Sequence, residues 1–253
     1  MGRPLPGLMR IAAIVQARMG SERLPGKVLL DIAGETMLSR VVRRTARSKL
    51  IDEIIVATST SPADDAIVSA GYALGVTVTR GSEEDVLARY RDAASVAGAD
   101  VIVRVSADSP FVDPEACDLV VSRFMSADPP VDYASNKLEP SFPLGLDVEA
   151  FSRAALEQAA RDATEPFERS HVTLHIYSNP GKFRLLPVVT DRNLHSWRWT
   201  VDTPEDLEFA REVFARLGSG NDFSWRDVVA LIEAEPALGE INSHVKARAV
   251  GEG

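Results

Sequence analysis

The chain is poor in cysteine, in aromatic residues and in long apolar runs. Its 253 residues include one cysteine, Cys117, and aromatic residues make up 6%. A single thiol excludes an internal disulfide framework and a cysteine zinc cluster, and it favours a reducing compartment. No stretch approaches the ~20 apolar residues of a membrane span, and the opening MGRPLPGLMR has too short an apolar core for a signal peptide. We therefore predict a cytoplasmic protein without a membrane partner, with a frayed tail before its first strand.

The charge is distributed unevenly along the chain. The formal net charge of −9 argues against a general nucleic-acid binder. Residues 1–49 carry ten Lys/Arg and three Asp/Glu, a charge of +7, so the remaining residues carry −16. A positive region within an acidic protein suits a small polyanionic ligand. For four of its cations we favour a simpler role on a solvated helix face: Arg43, Arg44, Arg47 and Lys49.

Apolar runs alternate with helical patterns through the first half of the chain. Strands are predicted at 11–15, 52–59, 76–81 and from 100, and helices between them at 36–48, 61–75 and 82–98, the last beginning with a capping box from Ser82 to Asp85. This alternation predicts an α/β fold, a Rossmann-like, mostly parallel sheet covered on both faces. Ligands of such sheets bind beyond the carboxyl ends of the strands. The loops at 17–27, 58–61, 80–82 and 106–110 are therefore expected to converge on one cleft.

The second half of the chain has a different composition. Residues 129–190 are rich in Pro and short β-like pieces, and we interpret them as a smaller inserted lobe for the acceptor and for dimerisation. It has two helices within 155–179 and a strand at 182–189. Residues 191–253 return to the main pattern, with a strand at 197–202, a helix from Pro204 and a terminal helix at 223–236. The nucleotide-binding part is then 10–128 of a single domain.

The loop after the first strand carries the clearest chemical signal. In QARMGSERLPGKVL, Gly20, Pro25 and Gly26 end the strand, while Arg18, Arg23 and Lys27 add positive charge. A glycine- and cation-rich loop at a strand end is how α/β proteins hold phosphates. We expect Lys27→Ala to reduce activity far more than stability, because a loop lysine buries little surface.

Two aspartates follow predicted strands. Asp108 lies in SADSP and Asp202 in TVDTPEDLE, and carboxylates at strand ends can hold Mg²⁺ together with substrate phosphates. The alternatives are an Asx turn at Asp108 and a helix cap at Asp202.

Other residues have competing interpretations. His171, with His175 four residues later, is a helix side chain in the core or at a subunit contact, an acceptor contact, or a zinc ligand. The absence of the glutamate of an HExxH motif counts against zinc. Trp197 and Trp199 are expected in the core rather than as a platform for a base, and Cys117 as a buried apolar residue.

Several ordered segments together resemble one family. They are IVQARMGSERLPGKVL, IDEIIVATS, RGSEEDVLARY, SADSPFVDP, PLGLDVEAF, ERSHVTLHIY and RWTVDTPEDLE. The set is similar to the cytidylyltransferases, in particular to the spore-coat polysaccharide F-type branch, with the CMP-3-deoxy-manno-octulosonate and CMP-sialate synthetases as more distant relatives. The resemblance runs from about Ile11 to Ile241 and implies the nucleotide-diphospho-sugar transferase fold and a homodimer.

The resemblance also implies site residues. The metal, Mg²⁺ or Mn²⁺, would be held by Asp108 and Asp202, with Ala107 in place of the family's usual glycine. Arg18 and Lys27 would be catalytic, by neutralising the triphosphate and the leaving group. CTP would be bound by Ala17, Arg18, Met19, Gly20, Ser21, Arg23, Lys27, Thr58, Ser59, Arg80, Gly81, Ser82 and Ser106. Within this set, the pocket for cytosine and ribose would consist of Thr58, Ser59, Arg80, Gly81 and Ser82. The acceptor would contact Asn136, Asp147, Glu149, Arg169, His171 and Arg198.

The implied reaction transfers CMP from CTP to a hydroxyl of an acidic sugar or similar small acid, with release of pyrophosphate, for cell-surface polysaccharide or glycoconjugate synthesis. One alternative is a glycosyltransferase that uses a nucleotide-sugar donor, against which the absence of a DxD triplet at Asp108 counts. A second alternative is a nucleotide sensor without enzymatic activity.

Overall fold

The central element is a mostly parallel sheet, as the sequence predicts, and it has seven strands. The computed structural model describes residues 9–246, so the first eight residues of the expected tail at 1–10 and the last seven residues of the C-terminal part lie outside it. The strand order is β5-β4-β1-β6-β8-β7-β9, and β8 alone runs antiparallel to its neighbours. The strands are β1 (Ile11–Gln16), β4 (Glu53–Ser59), β5 (Thr77–Gly81), β6 (Val101–Ser106), β7 (Tyr133–Ser135), β8 (Glu149–Ser152) and β9 (Leu185–Pro187), and a separate hairpin pairs β2 (Asp31–Ile32) with β3 (Glu35–Thr36).

Helices cover both faces of the sheet. On one face α1, α2, α4, α8 and α9 pack in one apolar cluster, and on the other face α3, α5 and α7 pack in a second. None of the helices among residues 9–246 is long and apolar enough to cross a membrane. The helices are α1 (Met37–Thr45), α2 (Asp65–Ala73), α3 (Val86–Ala97), α4 (Pro114–Ser126), α5 (Arg153–Asp162), α6 (Pro166–Ser170), α7 (Leu174–Tyr177), α8 (Pro204–Arg216), α9 (Trp225–Ala234) and α10 (Pro236–Glu240).

The strand order reverses between β1 and β6. From β1 the chain moves outward to β4 and β5, then returns to place β6 on the other side of β1. The last residues of these two strands, Gln16 and Ser106, lie side by side in the register. Such a switch point opens a crevice between the two loops that follow. It brings the basic loop at 17–27 next to Asp108.

Residues 129–190 belong to the same sheet. They contribute β7, β8 and β9, and two of their helices, α5 and α7, pack on one sheet face. Because β8 is antiparallel to β6, its first residue, Glu149, lies at the edge where the parallel strands end. The boundaries predicted at 129 and 190 stay predictions.

Three predicted elements differ from those observed. No strand forms at 197–202: Leu144 forms an isolated bridge with Arg198, and the nitrogen of Val201 bonds the carbonyl of Asp108 at 2.8 Å, so the backbone changes partner before a ladder can form. Helix α3 begins at Val86 rather than at 82, because Asp85 is its N-cap and Ser82 Oγ accepts from the Asp85 nitrogen. The segment 155–179 contains parts of three helices, not two.

The solvated helix face predicted for α1 is wrong for Arg44. Its side chain is fully buried, with the guanidinium 4.2 Å from the centre of the Phe223 ring and Nε donating to the carbonyl of Val112. Burial lowers the pKa of Arg44 to about 10. Arg43 and Arg47 do lie on the exposed side.

Candidate active site

The basic loop is held in shape by Asp64, which the sequence analysis did not single out. Its Oδ1 accepts from the backbone nitrogen of Met19 at 2.7 Å. Its Oδ2 accepts from the Thr58 hydroxyl, the Ser59 nitrogen and the Ser59 hydroxyl. Burial alone would raise the pKa of Asp64, but these hydrogen bonds lower it below its usual value. Asp64 therefore joins the loop after β1 to the end of β4.

A cavity of about 260 Å³ lies along the inner side of this loop. It is lined by the residues of the basic loop that are predicted to bind CTP, except Met19 and Gly20. Ser106 and both predicted metal ligands line it as well. Its wall is formed by Gln16, Ala17, Arg18, Ser21, Glu22, Arg23, Lys27, Val28, Ser106, Ala107, Asp108 and Asp202.

The residues predicted for cytosine and ribose lie outside this wall. The hydroxyls of Thr58 and Ser59 are bonded to Asp64. Arg80 donates to the carbonyls of Ser59 and Ser61 at 2.9 Å. Gly81 packs against the side chain of Arg89, whose Nη1 donates to the carbonyl of Ser82. Their roles toward a base stay predictions.

Lys27 lies between the two predicted metal ligands. Its Nζ donates to Asp108 Oδ2 and Asp202 Oδ1, both at 2.8 Å, and to the carbonyl of Val201 at 2.9 Å. Burial lowers the pKa of Lys27, but the charges of Asp108 and Asp202 outweigh it, so the pKa lies above its usual value. The premise that this lysine buries little surface is wrong, because the residue is only 8% exposed.

Asp202 is surrounded by cations. Its Oδ2 accepts from Arg198 at 2.7 Å and lies 3.0 Å from Arg23. Burial would raise the pKa of Asp202, but Lys27 and then Arg198 and Arg23 lower it. Asp202 is not the cap of α8: that role belongs to Thr203, in a capping box with the fully buried Asp206. Asp206 also accepts from Arg198 and from the nitrogen of Asp202, and so fixes both.

The two carboxylates fit a magnesium site in number and kind. Mg²⁺ takes oxygen ligands and commonly binds through one or two carboxylates plus substrate phosphates. Asp108 and Asp202 both contact Lys27 Nζ and both line the cavity of the basic loop. The pair therefore matches the donor set, with Lys27 already lying between its members. Among residues 9–246 there is no cluster of three or more His, Cys, Asp or Glu side chains suited to a metal.

A second cavity, of about 230 Å³, meets the first at this pair. The two cavities share Arg23, Ser106, Asp108 and Asp202. Three predicted acceptor residues, Asp147, Glu149 and Arg198, also line the second cavity. The remaining wall consists of Arg104, Ser109, Lys137, Leu144, Gly145 and Thr200.

The other predicted acceptor residues lie elsewhere. Both polar groups of Asn136 bond backbone atoms, of Leu146 and Val148. Arg169 pairs with Asp85 at 2.7 Å and bonds carbonyls of the α5 segment, so it joins α6 to the start of α3. The ring of His171 packs on Phe167, with centroids 4.3 Å apart. None of these three lines either cavity, and their roles toward an acceptor stay predictions.

Two predicted core assignments are confirmed. Trp199 is 1% exposed, and Trp197 packs beside it in the same apolar cluster. Cys117 is fully buried in α4.

Fold and site together define a nucleotide-binding α/β protein: a doubly wound sheet has a basic loop at its switch point and a pair of aspartates facing that loop. The comparisons are more specific. The model of the cytidylyltransferase family matches residues 12–228. The chain belongs to the cytidylyltransferase family, as the resemblance implies.

Individual relatives cover nearly the whole chain. An uncharacterized protein of Methanocaldococcus jannaschii is 37% identical over 96% of this chain and 99% of its own. The spore coat polysaccharide biosynthesis protein SpsF of Bacillus subtilis is 32% identical over 89% of this chain and 95% of its own. A solved cytidylyltransferase of Leptospira borgpetersenii superposes with a TM-score of 0.88 at 30% identity, covering 95% of this chain and 99% of that one.

Proposed function

We propose that this protein transfers CMP from CTP to a hydroxyl group of a small acidic acceptor, such as a sugar acid, and releases pyrophosphate. The observation that carries the proposal is the meeting of two cavities at Asp108 and Asp202. One cavity follows the basic loop, which suits a triphosphate, and the other is lined by polar side chains of both signs, which suits a polyhydroxylated acid.

The relatives support the choice of nucleotide and of acceptor class. A 3-deoxy-manno-octulosonate cytidylyltransferase of Anaeromyxobacter is 28% identical over 82% of this chain and 98% of its own. The name of SpsF refers to polysaccharide biosynthesis. A sugar acid destined for a cell-surface polysaccharide or glycoconjugate is consistent with both names.

The chemistry needs positioning and charge neutralisation rather than a covalent intermediate. The acceptor oxygen attacks the α-phosphorus of CTP, the bond from that phosphorus to the bridging oxygen of the β-phosphate breaks, and the hydroxyl proton passes to a base or to water. Arg18 and Arg23 line the cavity of the basic loop and would neutralise the phosphates. Lys27 directs its three donors to Asp108, Asp202 and Val201, so in this arrangement it acts by holding the two carboxylates.

A divalent metal on Asp108 and Asp202 would neutralise phosphate charge and lower the pKa of the attacking hydroxyl. The requirement for a metal and the preference for Mg²⁺ or Mn²⁺ stay predictions. The homodimeric assembly and the cytoplasmic location stay predictions as well.

The test is pyrophosphate release with each of the four nucleoside triphosphates, in the presence of Mg²⁺ and a panel of sugar acids. We expect release with CTP and one or more of the acids, and binding of CTP by calorimetry. Release of a free nucleoside diphosphate from a nucleotide-sugar donor, without CTP binding, would instead support a glycosyltransferase.

A further inference from the structure

We propose that Arg104 and Lys137 bind the anionic group of the acceptor, while Asp147 accepts a hydrogen bond from one of its hydroxyls. This inference rests on the proposed function. It assigns roles to individual residues of the second cavity, which we call the acceptor cavity. Neither cation was predicted from the sequence as a site residue.

Arg104 is a charged residue in the middle of an apolar strand. It lies in β6, opposite Glu149 in the register, and the strand is otherwise buried up to its last residue. Burying a charge at such a position costs free energy unless the charge is paired, so we expect Arg104 to have a carboxylate partner and a function that retains it. The partner is Glu149, whose Oε1 accepts from Arg104 Nη1.

Glu149 acts as a positioning residue, because both of its oxygens accept hydrogen bonds from the protein. Its other oxygen accepts from the hydroxyls of Tyr133 and Thr173. Of the two Glu149 oxygens, Arg104 donates only to Oε1, and its Nε is buried and has no hydrogen-bond partner among residues 9–246. The Arg104 side chain is still 20% exposed, and it lines the acceptor cavity. A guanidinium that donates to one carboxylate and exposes part of its surface to a cavity is suited to a second anion.

Lys137 adds a second positive charge on the same wall. It follows β7, lines the cavity, and makes no side-chain hydrogen bond or ion pair within the described part of the chain. Its charge acts on both Asp147 and Glu149. A lysine that neighbours two carboxylates yet pairs with neither can receive a ligand anion without breaking a protein contact.

Asp147 is presented to the cavity by Asn136. The amide of Asn136 donates to the carbonyl of Leu146 and accepts from the nitrogen of Val148, both at 2.8 Å, so it holds the backbone on either side of Asp147. The Asp147 carboxylate lines the cavity and has no hydrogen-bond partner in the region 9–246. Burial raises the pKa of Asp147, and a hydrogen bond donated by a ligand hydroxyl would offset part of this cost of burying the carboxylate.

These three groups select one class of ligand. Two cations recognise a carboxylate or a phosphate, and a neighbouring carboxylate recognises a hydroxyl. The acceptor is therefore a hydroxylated anion, and a neutral polyol of the same size lacks the main contact.

The experiment measures binding of simple probes to the protein saturated with CTP, so that the basic loop is filled. D-gluconate and inorganic phosphate test the two anion chemistries, and sorbitol is the neutral control, each titrated by calorimetry and by the shift in melting temperature. The variants are Lys137→Met and the charge-neutral pair Arg104→Met with Glu149→Gln. Lys49→Met, an exposed lysine remote from both cavities, is the matched control.

We expect the wild type and Lys49→Met to bind at least one anion and to bind sorbitol weakly. Both cavity variants should weaken anion binding about tenfold or more, as expected for loss of a charged hydrogen bond, with CTP binding unchanged. Equal binding of sorbitol and the anions by the wild type, binding of neither anion, or undiminished binding by the variants would each overturn the assignment. Failure of CTP to bind would count against the proposed function alone, and the anion titrations would then be compared without nucleotide.

Discussion

Asp64 accepts a hydrogen bond from the backbone nitrogen of Met19 at 2.7 Å, across 45 residues of sequence. Through this bond the basic loop after β1 is fixed to the end of β4, where Oδ2 of the same carboxylate holds Thr58 and Ser59. The conformation of the loop therefore depends on a residue that does not line the cavity beside it. Substitution of Asp64 therefore tests directly whether the loop needs this hydrogen bond to keep its conformation.

Asp64→Asn should weaken CTP binding and destabilise the fold by about 2–4 kcal/mol. Both oxygens accept from donors, so either orientation of an amide places its NH₂ group against an N–H or O–H. Calorimetry with CTP and urea unfolding measure the two effects. Asp65→Asn is the matched control, because Asp65 is exposed and pairs only with Arg80 within the described chain. Equal behaviour of the two variants would show that Asp64 does not hold the loop.

Lys27→Met should destabilise the protein as well as reduce its activity. The change removes three hydrogen bonds and leaves two neighbouring carboxylates without their shared cation, which we expect to cost about 3 kcal/mol. Arg23→Met is the control, since Arg23 contacts only Asp202 of this pair, from a side chain 29% exposed, and should cost less than about 1 kcal/mol.

The same variant tests the metal donor set without an activity assay. With Lys27 gone, Asp108 loses its ion-pair partner, while Asp202 keeps Arg23 and Arg198, so a divalent cation can take the position of Nζ between the two carboxylates. Mn²⁺ should therefore raise the melting temperature of Lys27→Met more than that of the wild type. Absence of a Mn²⁺-induced rise in Lys27→Met would show that the aspartates do not form a metal site.

Local patterns account for what the sequence predicted. The apolar run before Gly20, Pro25 and Gly26 predicts β1 and the loop after it. Repetition of this pattern predicts the parallel sheet and places Asp108, which follows β6, at the cleft. The prediction that Asp202 follows a strand was wrong. The alternation of Trp197 and Trp199 resembles a strand, but the backbone of this segment pairs first with Leu144 and then with Asp108, so no strand forms.

Residues whose role depends on distant partners were missed. Asp64 resembled an ordinary acid at a helix start, and nothing near it in sequence indicates Met19. Arg104 did leave a signal, since a charge within VIVRVS demands a partner, but Glu149 becomes that partner only through antiparallel register across 45 residues.

Gly145→Ala should destabilise the fold by more than about 3 kcal/mol and disturb the active site. Gly145 has a φ of +99°, and a Cβ there would lie 2.3 Å from the Thr200 nitrogen, in the segment that leads to Asp202. Gly34→Ala is the matched control, because Gly34 has a similar φ of +93° but no atom within 4 Å of the added Cβ. It should show the cost of backbone strain alone, about 1–2 kcal/mol. Urea unfolding of both variants would contradict the close-packing argument if their losses were equal.

Glu149→Gln should flatten the dependence of stability on acid pH. Burial would raise the pKa of Glu149, but Arg104, then Lys137 and the hydrogen bonds from Thr173 and Tyr133, lower it to about 2. Because the folded pKa lies below the unfolded value, the ionised carboxylate stabilises the fold above about pH 4.5, and this contribution is lost as the pH falls toward 2. It is on the order of 2–3 kcal/mol for a buried group. Urea unfolding of wild type and variant between pH 7 and 3.5 measures the difference. The variant should be less stable at neutral pH, and the gap should narrow on acidification; a gap that stays constant would mean that Glu149 is not ionised in the folded protein.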